Sequence, residues 1–146
     1  MGDLELWDTK TLSKDSISGH PDVWPLGPNE FVLAQTHEKI TVPRGLIARV
    51  EGRSSYARFG LSMHQTAPWI QPGGNNTAII LEIMNHGSLT IELTPLLDRP
   101  CQLTFFHLSQ EVPAQMAYGS RPTDRFQGQT HPFKPPRPKA KRARRT

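Results

Sequence analysis

Apolar positions in this chain come in short runs, several of them closed by proline, glycine or an asparagine-containing corner. Runs of about four to eight apolar residues bounded by such breakers read as strands. The runs at 31–35, 40–42 and 46–51 are the first three, with Pro43-Arg44-Gly45 turning the chain before the third. Residues 55–59 have room for only one or two helical turns. Beyond them 61–66 is extended, and 67–76, with two prolines and two glycines, reads as a loop. A strand at 78–84, a turn at Asn85-His86-Gly87 and strands at 89–93 and 102–107 follow. The first 28 residues are polar and punctuated by proline, with Trp7 and Trp24 as large anchors, and read as loop. Many short strands at even spacing predict an all-β fold, a distorted barrel or jelly roll, with one short helix. The pattern divides the chain into a loop-rich segment 1–29, a β domain 30–111, a fading segment 112–133 and a tail 134–146.

A length of 146 residues suits one domain, and 14 prolines with 11 glycines suit short strands better than long helices. Net charge changes the picture only at one end. Of 17 Lys and Arg, seven (Lys134, Arg137, Lys139, Lys141, Arg142, Arg144 and Arg145) lie in the tail, where no acid occurs. The rest of the chain keeps 10 bases against 13 acids, so the basic balance implies no basic groove on the fold. A nucleic-acid partner is expected at most weakly, through that Pro-interrupted and like-charged tail, which reads as disordered. Cys101 is the sole cysteine, so an internal disulfide is excluded, and its apolar run predicts a buried, inert thiol. No apolar stretch is long enough to span a membrane, and the N-terminus lacks the order of a signal peptide, so a cytoplasmic protein without a membrane partner is expected.

Two places carry candidate chemistry. At Gly52-Arg53-Ser54-Ser55 a strand ends in a polar elbow that opens the short helix, so backbone N–H groups, two hydroxyls and a guanidinium converge as they would to hold phosphate oxygens. The competing structural reading is a serine that caps the helix beside a solvated arginine. The second place is Glu82. Alternation along 78–84 puts Ile79, Leu81 and Ile83 on one face and Ile80, Glu82 and Met84 on the other. A carboxylate between apolar neighbours is partly desolvated, which raises its pKa towards values where it both takes and gives protons. An exposed face, or a purely structural pairing with Arg58, is the alternative. His37, His64, His86 and His107 have no metal-ligand spacing, and His64, with no charged partner visible, reads as packing.

In order, the chain reads GRSSYARFGL, MHQTAPWIQPGG, AIILEIMNHG, PCQLTFFHL and YG followed by FQGQ. This order and spacing resemble the dCTP deaminase branch of the dUTPase-like trimeric nucleotide enzymes, over roughly residues 30–129. The resemblance implies a dUTPase-type β fold and hydrolytic deamination of dCTP to dUTP and ammonia. It implies a homotrimer with sites between subunits, nucleotide ligands of the dCTP, dUTP and dTTP type, and Mg²⁺ bound through the substrate triphosphate. Glu82 stands where the family has its catalytic glutamate, and Ser54 and Arg58 match the positions that hold the attacking water and stabilise developing charge. Arg53, Ser54 and Ser55 match the phosphate binders. Thr66, Ala67 and Ile70 match the lining of the base pocket. Tyr118, Arg125 and Gln129 match the nucleotide-covering C-terminal segment, with Arg125 where lysine is common. Zinc is not expected, because the deaminases that use it need P-C-x-x-C ligands and this chain has one cysteine.

Three departures qualify the resemblance. Gln71 stands where dUTPases and many deaminases carry aspartate, and an amide cannot act as a base on water, so triphosphate hydrolysis is not expected while a hydrogen bond to the deoxyribose hydroxyl is. Pro95-Leu96-Leu97-Asp98 replaces a usual Pro-Gly-Met turn. Only 52 residues precede Arg53, fewer than in the family, which implies either a trimmed fold, with a catalytically silent nucleotide-binding or scaffold role as its alternative function, or a true start upstream of Met1.

Overall fold

A computed structural model of the chain describes residues 4–7, 23–95, 97–124 and 126. Among the described residues nine strands run in the order β1 (Leu4–Trp7), β2 (Trp24–Leu26), β3 (Phe31–Val42), β4 (Leu46–Gly52), β5 (Leu61–Ser62), β6 (Trp69–Ile70), β7 (Gly73–Asn85), β8 (Ile91–Leu93) and β9 (Cys101–His107). One helical turn, α1 (Ser54–Ala57), separates β4 from β5, and a 3₁₀ turn at Ala114–Met116 follows β9. The strands form sheets ordered β1-β3-β7-β5, β6-β4-β9 and β2-β8, and every ladder is antiparallel. The expected mainly β architecture with one short helix is what the chain adopts.

The long β3–β7 ladder organises the rest. Val32 pairs with Ile83 and Ala34 with Leu81, and all four are buried, because period-two alternation sends these positions to one face. Leu26 from β2, Val50 from β4, Leu61 from β5, Leu93 from β8 and Cys101 from β9 close on that face, so all three sheets share one core. Leu81 is fully buried, a burial that stabilises by about 1.5–3 kcal/mol. Asn85 ends β7 inside the same core without an orphaned amide. Its Nδ2 donates to the carbonyls of Leu26 and Leu89, and its Oδ1 accepts from the N–H of Gly87. The turn after β7 crosses α1's end so closely that a Cβ on Gly60, whose φ is +91°, would lie 2.5 Å from the Gly87 nitrogen.

Several boundaries differ from the sequence reading. Within 1–29, expected as loop, β1 pairs with β3 and β2 with β8. β1, four residues long, is recruited by the open side of the longer β3, and β2, three residues long, pairs with the equally short β8, neither through a pattern of its own. The runs at 31–35 and 40–42 join into the single strand β3, whose register shifts between Gln35 and Lys39, so a bulge hides the continuity. The expected loop 67–76 holds β6 and the start of β7, since Trp69 and Ile70 pair with Arg49 and Ala48. Asp98 rebuilds the departed Pro95-to-Asp98 turn as an anchor, accepting from the Thr94 N–H and from the Tyr56 hydroxyl, each at 2.6 Å. Burial, reinforced by Asp98, pushes the Tyr56 phenol up, so it stays a donor to higher pH than usual.

Candidate active site

The outward face of the β3–β7 ladder is the floor of a cavity of about 440 Å³, within the range of small-molecule sites. Leu33 of β3 lies opposite Glu82 of β7 in register, and both line the floor together with Ile80. Residues from Ala67 to Gly74 form a wall, and Tyr118 and Phe126 reach the cavity from the C-terminal segment. Of the apolar neighbours expected around Glu82, Ile80 lines the cavity and Met84 does not, and Leu33 of β3 supplies the second.

Glu82 is half-buried, and its Oε2 accepts from the backbone N–H of Gln65 at 3.0 Å. Gln65 also donates through Nε2 to the Glu82 carbonyl and to Ser62 Oγ, so the strand and its carboxylate are held from the same residue. A backbone donor on a carboxylate oxygen fixes its orientation and leaves the other oxygen for the cavity. Gln65 gives no signal in sequence, since the contact is made by its main chain.

Of the residues picked from sequence, Ala67, Ile70, Gln71, Glu82 and Tyr118 line this cavity. Thr66 is exposed beside Ala67 and is not among the lining residues. Arg53, Ser54, Ser55 and Arg58 do not line it either. They cluster at α1, all exposed, with Arg53 as the N-cap in extended backbone and no side chain capping the turn. The serine-capping alternative therefore does not apply, and Arg53 Nη1 reaches the Arg99 carbonyl at 3.3 Å. Arg125 and Gln129 lie outside the described residues. His64, read as lacking a charged partner, has Glu51 Oε2 at 3.6 Å from its Nε2, and Glu51 also pairs with Arg49. Alternation on β4 puts Arg49 and Glu51 on one face, which the sequence reading left unused.

The C-terminal segment is fastened to the wall by main-chain bonds. Tyr118 donates to the Pro72 carbonyl and accepts from the Gly74 N–H, each at 2.8 Å. The approach requires glycine: φ at Gly73 is +101°, and a Cβ there would lie 2.6 Å from the Tyr118 oxygen. Sequence reasoning missed two residues of this segment, Arg121 and Asp124. Arg121 Nη2 donates to Gln71 Oε1 at 3.0 Å and pairs with Asp124 Oδ1 at 2.9 Å. Burial pushes the Asp124 carboxyl up, but Arg121 and the N–H groups of Gly119 and Arg121 outweigh it and hold the group below its usual value.

The arrangement offers an apolar slot for a flat ring, one oriented carboxylate on its floor and one amide on its wall. Among the described residues no helix is long and apolar enough to cross a membrane. The sequence pattern of a family described as dCTP deaminase-like matches residues 4–108. A "dCTP deaminase, dUMP-forming" of Methanothermobacter thermautotrophicus is 46% identical over 72% of this chain and 52% of its own length. Its namesake in Methanobrevibacter smithii is 48% identical over 77% of this chain and 56% of its own length. That of Halobacterium salinarum is 38% identical over 89% and 62%. The chain thus spans little more than half the length of these curated relatives. A solved structure of native EIAV dUTPase superposes with a TM-score of 0.52 at 24% identity, over 64% of this chain and 74% of that one, a likeness of fold.

Proposed function

The chain belongs to the dCTP deaminase-like family, and from that premise we propose that it is a cytoplasmic enzyme that binds dCTP in the cavity and converts it with water to dUTP and ammonia. The observation that carries this reading is Glu82, an oriented carboxylate between Leu33 and Ile80 on the floor of the cavity. Hydrolytic deamination needs water oxygen to bond to C4 of the cytosine while one water proton goes to N3 and the other to the departing amino group. Glu82 takes and returns each proton in turn. The small side chain of Ala67 and the apolar floor admit the ring, and the neighbouring Leu33 and Ile80 keep bulk water from competing.

The positions that the resemblance assigns to the triphosphate and the attacking water, Arg53, Ser54, Ser55 and Arg58, are exposed on α1 and outside this protomer's cavity. That separation favours a site completed by α1 of a neighbouring copy, in a homotrimer. Trp69 and Phe106, half-exposed and 5.7 Å apart between ring centroids, are apolar surface that such an assembly would cover. Hydroxyls and guanidinium groups suit phosphate oxygens rather than a cation, so Mg²⁺ would arrive on the triphosphate, where it neutralises phosphate charge. Tyr118 closes the site from the C-terminal side, and the resemblance assigns Arg125 and Gln129 to the same cover.

Gln71 decides between two products. Its amide cannot deprotonate water, which supports dUTP as the product. The relatives named dUMP-forming favour a second reading, in which the triphosphate is also cleaved. Incubating the protein with dCTP or dUTP and Mg²⁺, and separating the nucleotides, tests both. Release of dUTP and ammonia from dCTP is expected, with Gln71→Asp giving at most a trace of dUMP. Pyrophosphate released by the parent protein would overturn the dUTP assignment. Binding of dCTP without turnover would instead support a silent nucleotide-binding or scaffold role.

A further inference from the structure

Gln71 is held in one hydrogen-bonding sense from outside the cavity. A guanidinium has donors and no acceptor, so the 3.0 Å contact with Arg121 Nη2 can be made only by the amide oxygen. The amide NH₂ is thereby turned away from Arg121 and is the donor that Gln71, a lining residue, has to offer a ligand, beside the second lone pair of its oxygen. Arg121 is itself fixed. Its Nε and Nη2 lie 3.1 and 2.9 Å from Asp124 Oδ1, and the Asp124 side chain is only 5% exposed. Asp124 Oδ2 accepts the N–H groups of Gly119 at 2.7 Å and Arg121 at 3.1 Å. Gly119 follows Tyr118, whose main chain is bonded to Pro72 and Gly74 on either side of Gly73. The clamp thus runs from the wall of the cavity through the C-terminal segment and back to the same wall.

We propose that Arg121, anchored by Asp124, is a positioning residue that makes Gln71 a hydrogen-bond donor to the 3′-hydroxyl oxygen of a bound deoxynucleotide. This rests on the dCTP reading above. Once phosphates occupy the 5′ position, the 3′-hydroxyl is the one free hydroxyl of deoxyribose, and it can accept as well as donate. Base recognition falls to the floor around Glu82, and the locked amide is the polar group of the wall. An aspartate at position 71 would oblige the same hydroxyl to donate. The clamped glutamine, with its NH₂ turned away from Arg121, can donate to it.

The test compares dCTP with its 2′,3′-dideoxy analogue on the parent and on Arg121→Met, which keeps the length of the side chain and removes its donors. For dCTP, KM should rise about tenfold, the order of one lost hydrogen bond, with kcat changed by less than about twofold. For the dideoxy analogue, parent and variant should have equal KM. Arg121→Lys, which keeps a donor, should restore most of the dCTP KM, and in a Gln71→Met background the Arg121 substitution should have no further effect. A KM that rises equally for both nucleotides, as loosening of the C-terminal segment would produce, overturns the proposal, as does no change for either. A parent protein that neither binds nor turns over dCTP overturns the substrate reading instead, and with it the ligand assigned to the clamp.

Discussion

Replacing Glu82 by glutamine removes the proton carrier and little else. The side chains are nearly isosteric, and the glutamine Oε1 can still accept the Gln65 N–H that lies 3.0 Å from the carboxylate. Exchanging a charged acceptor for a neutral one in that single half-exposed bond should change folding stability by about 1 kcal/mol or less. Leu33 and Ile80 keep the same volume to pack against. The chemical step loses general acid–base catalysis, worth about 10²–10⁴ in rate, or roughly 2.7–5.5 kcal/mol at 1.36 kcal/mol per factor of ten. The decay of cytosine absorbance under saturating dCTP and Mg²⁺ measures kcat, and titration calorimetry of the variant measures binding. We expect kcat to fall by at least about a hundredfold and dCTP affinity to stay within about threefold. Full activity in Glu82→Gln would move the chemistry to another residue. A loss of affinity as large as the loss of rate would show that Glu82 holds substrate rather than moving protons.

Three further outcomes follow from the packing and charges. Leu81→Ala, which empties a fully buried position facing Ala34, should cost about 2–5 kcal/mol and lower the urea midpoint with an unchanged m-value; a cost under about 1 kcal/mol would place Leu81 outside the core. Cys101, 6% exposed and with its thiol pushed up by burial, should react with a disulfide reagent only at the rate of unfolding, and immediate reaction in the native protein would contradict its position. Because the folded Asp124 carboxyl lies below its ordinary 3.8, its contribution to stability is present above that value and disappears as pH falls through the lower folded one. The melting-temperature gap between the parent and Asp124→Asn should therefore be constant near neutrality and close only below about pH 4; a gap that already closes at pH 6 would mean that another group is titrating.

The parts of the site legible in sequence are those that follow a period. Glu82 could be placed on a face between apolar neighbours because side chains on a strand alternate, and the observed register with Leu33 keeps that face outward. The buried positions Leu81 and Ile83 were legible for the same reason, and Cys101 through the apolar run it opens. Elements without a period of their own were not. β6 is two residues long and is a strand only because Arg49 and Ala48 pair with it, and β1 and β2 exist through β3 and β8. The clamp lies further out of reach. Arg121 and Asp124, three apart in a stretch with glycine and proline, look in sequence like ordinary surface charges, whose pairing is worth little. What gives them weight is a partner fifty positions upstream, and that proximity depends on Gly73 letting Tyr118 pack against the wall. A bulkier residue at 73 would push the Tyr118 main chain away and take Arg121 with it. The glycines of IQPGG therefore act on the candidate site through the segment that covers it, a coupling that neither motif shows alone.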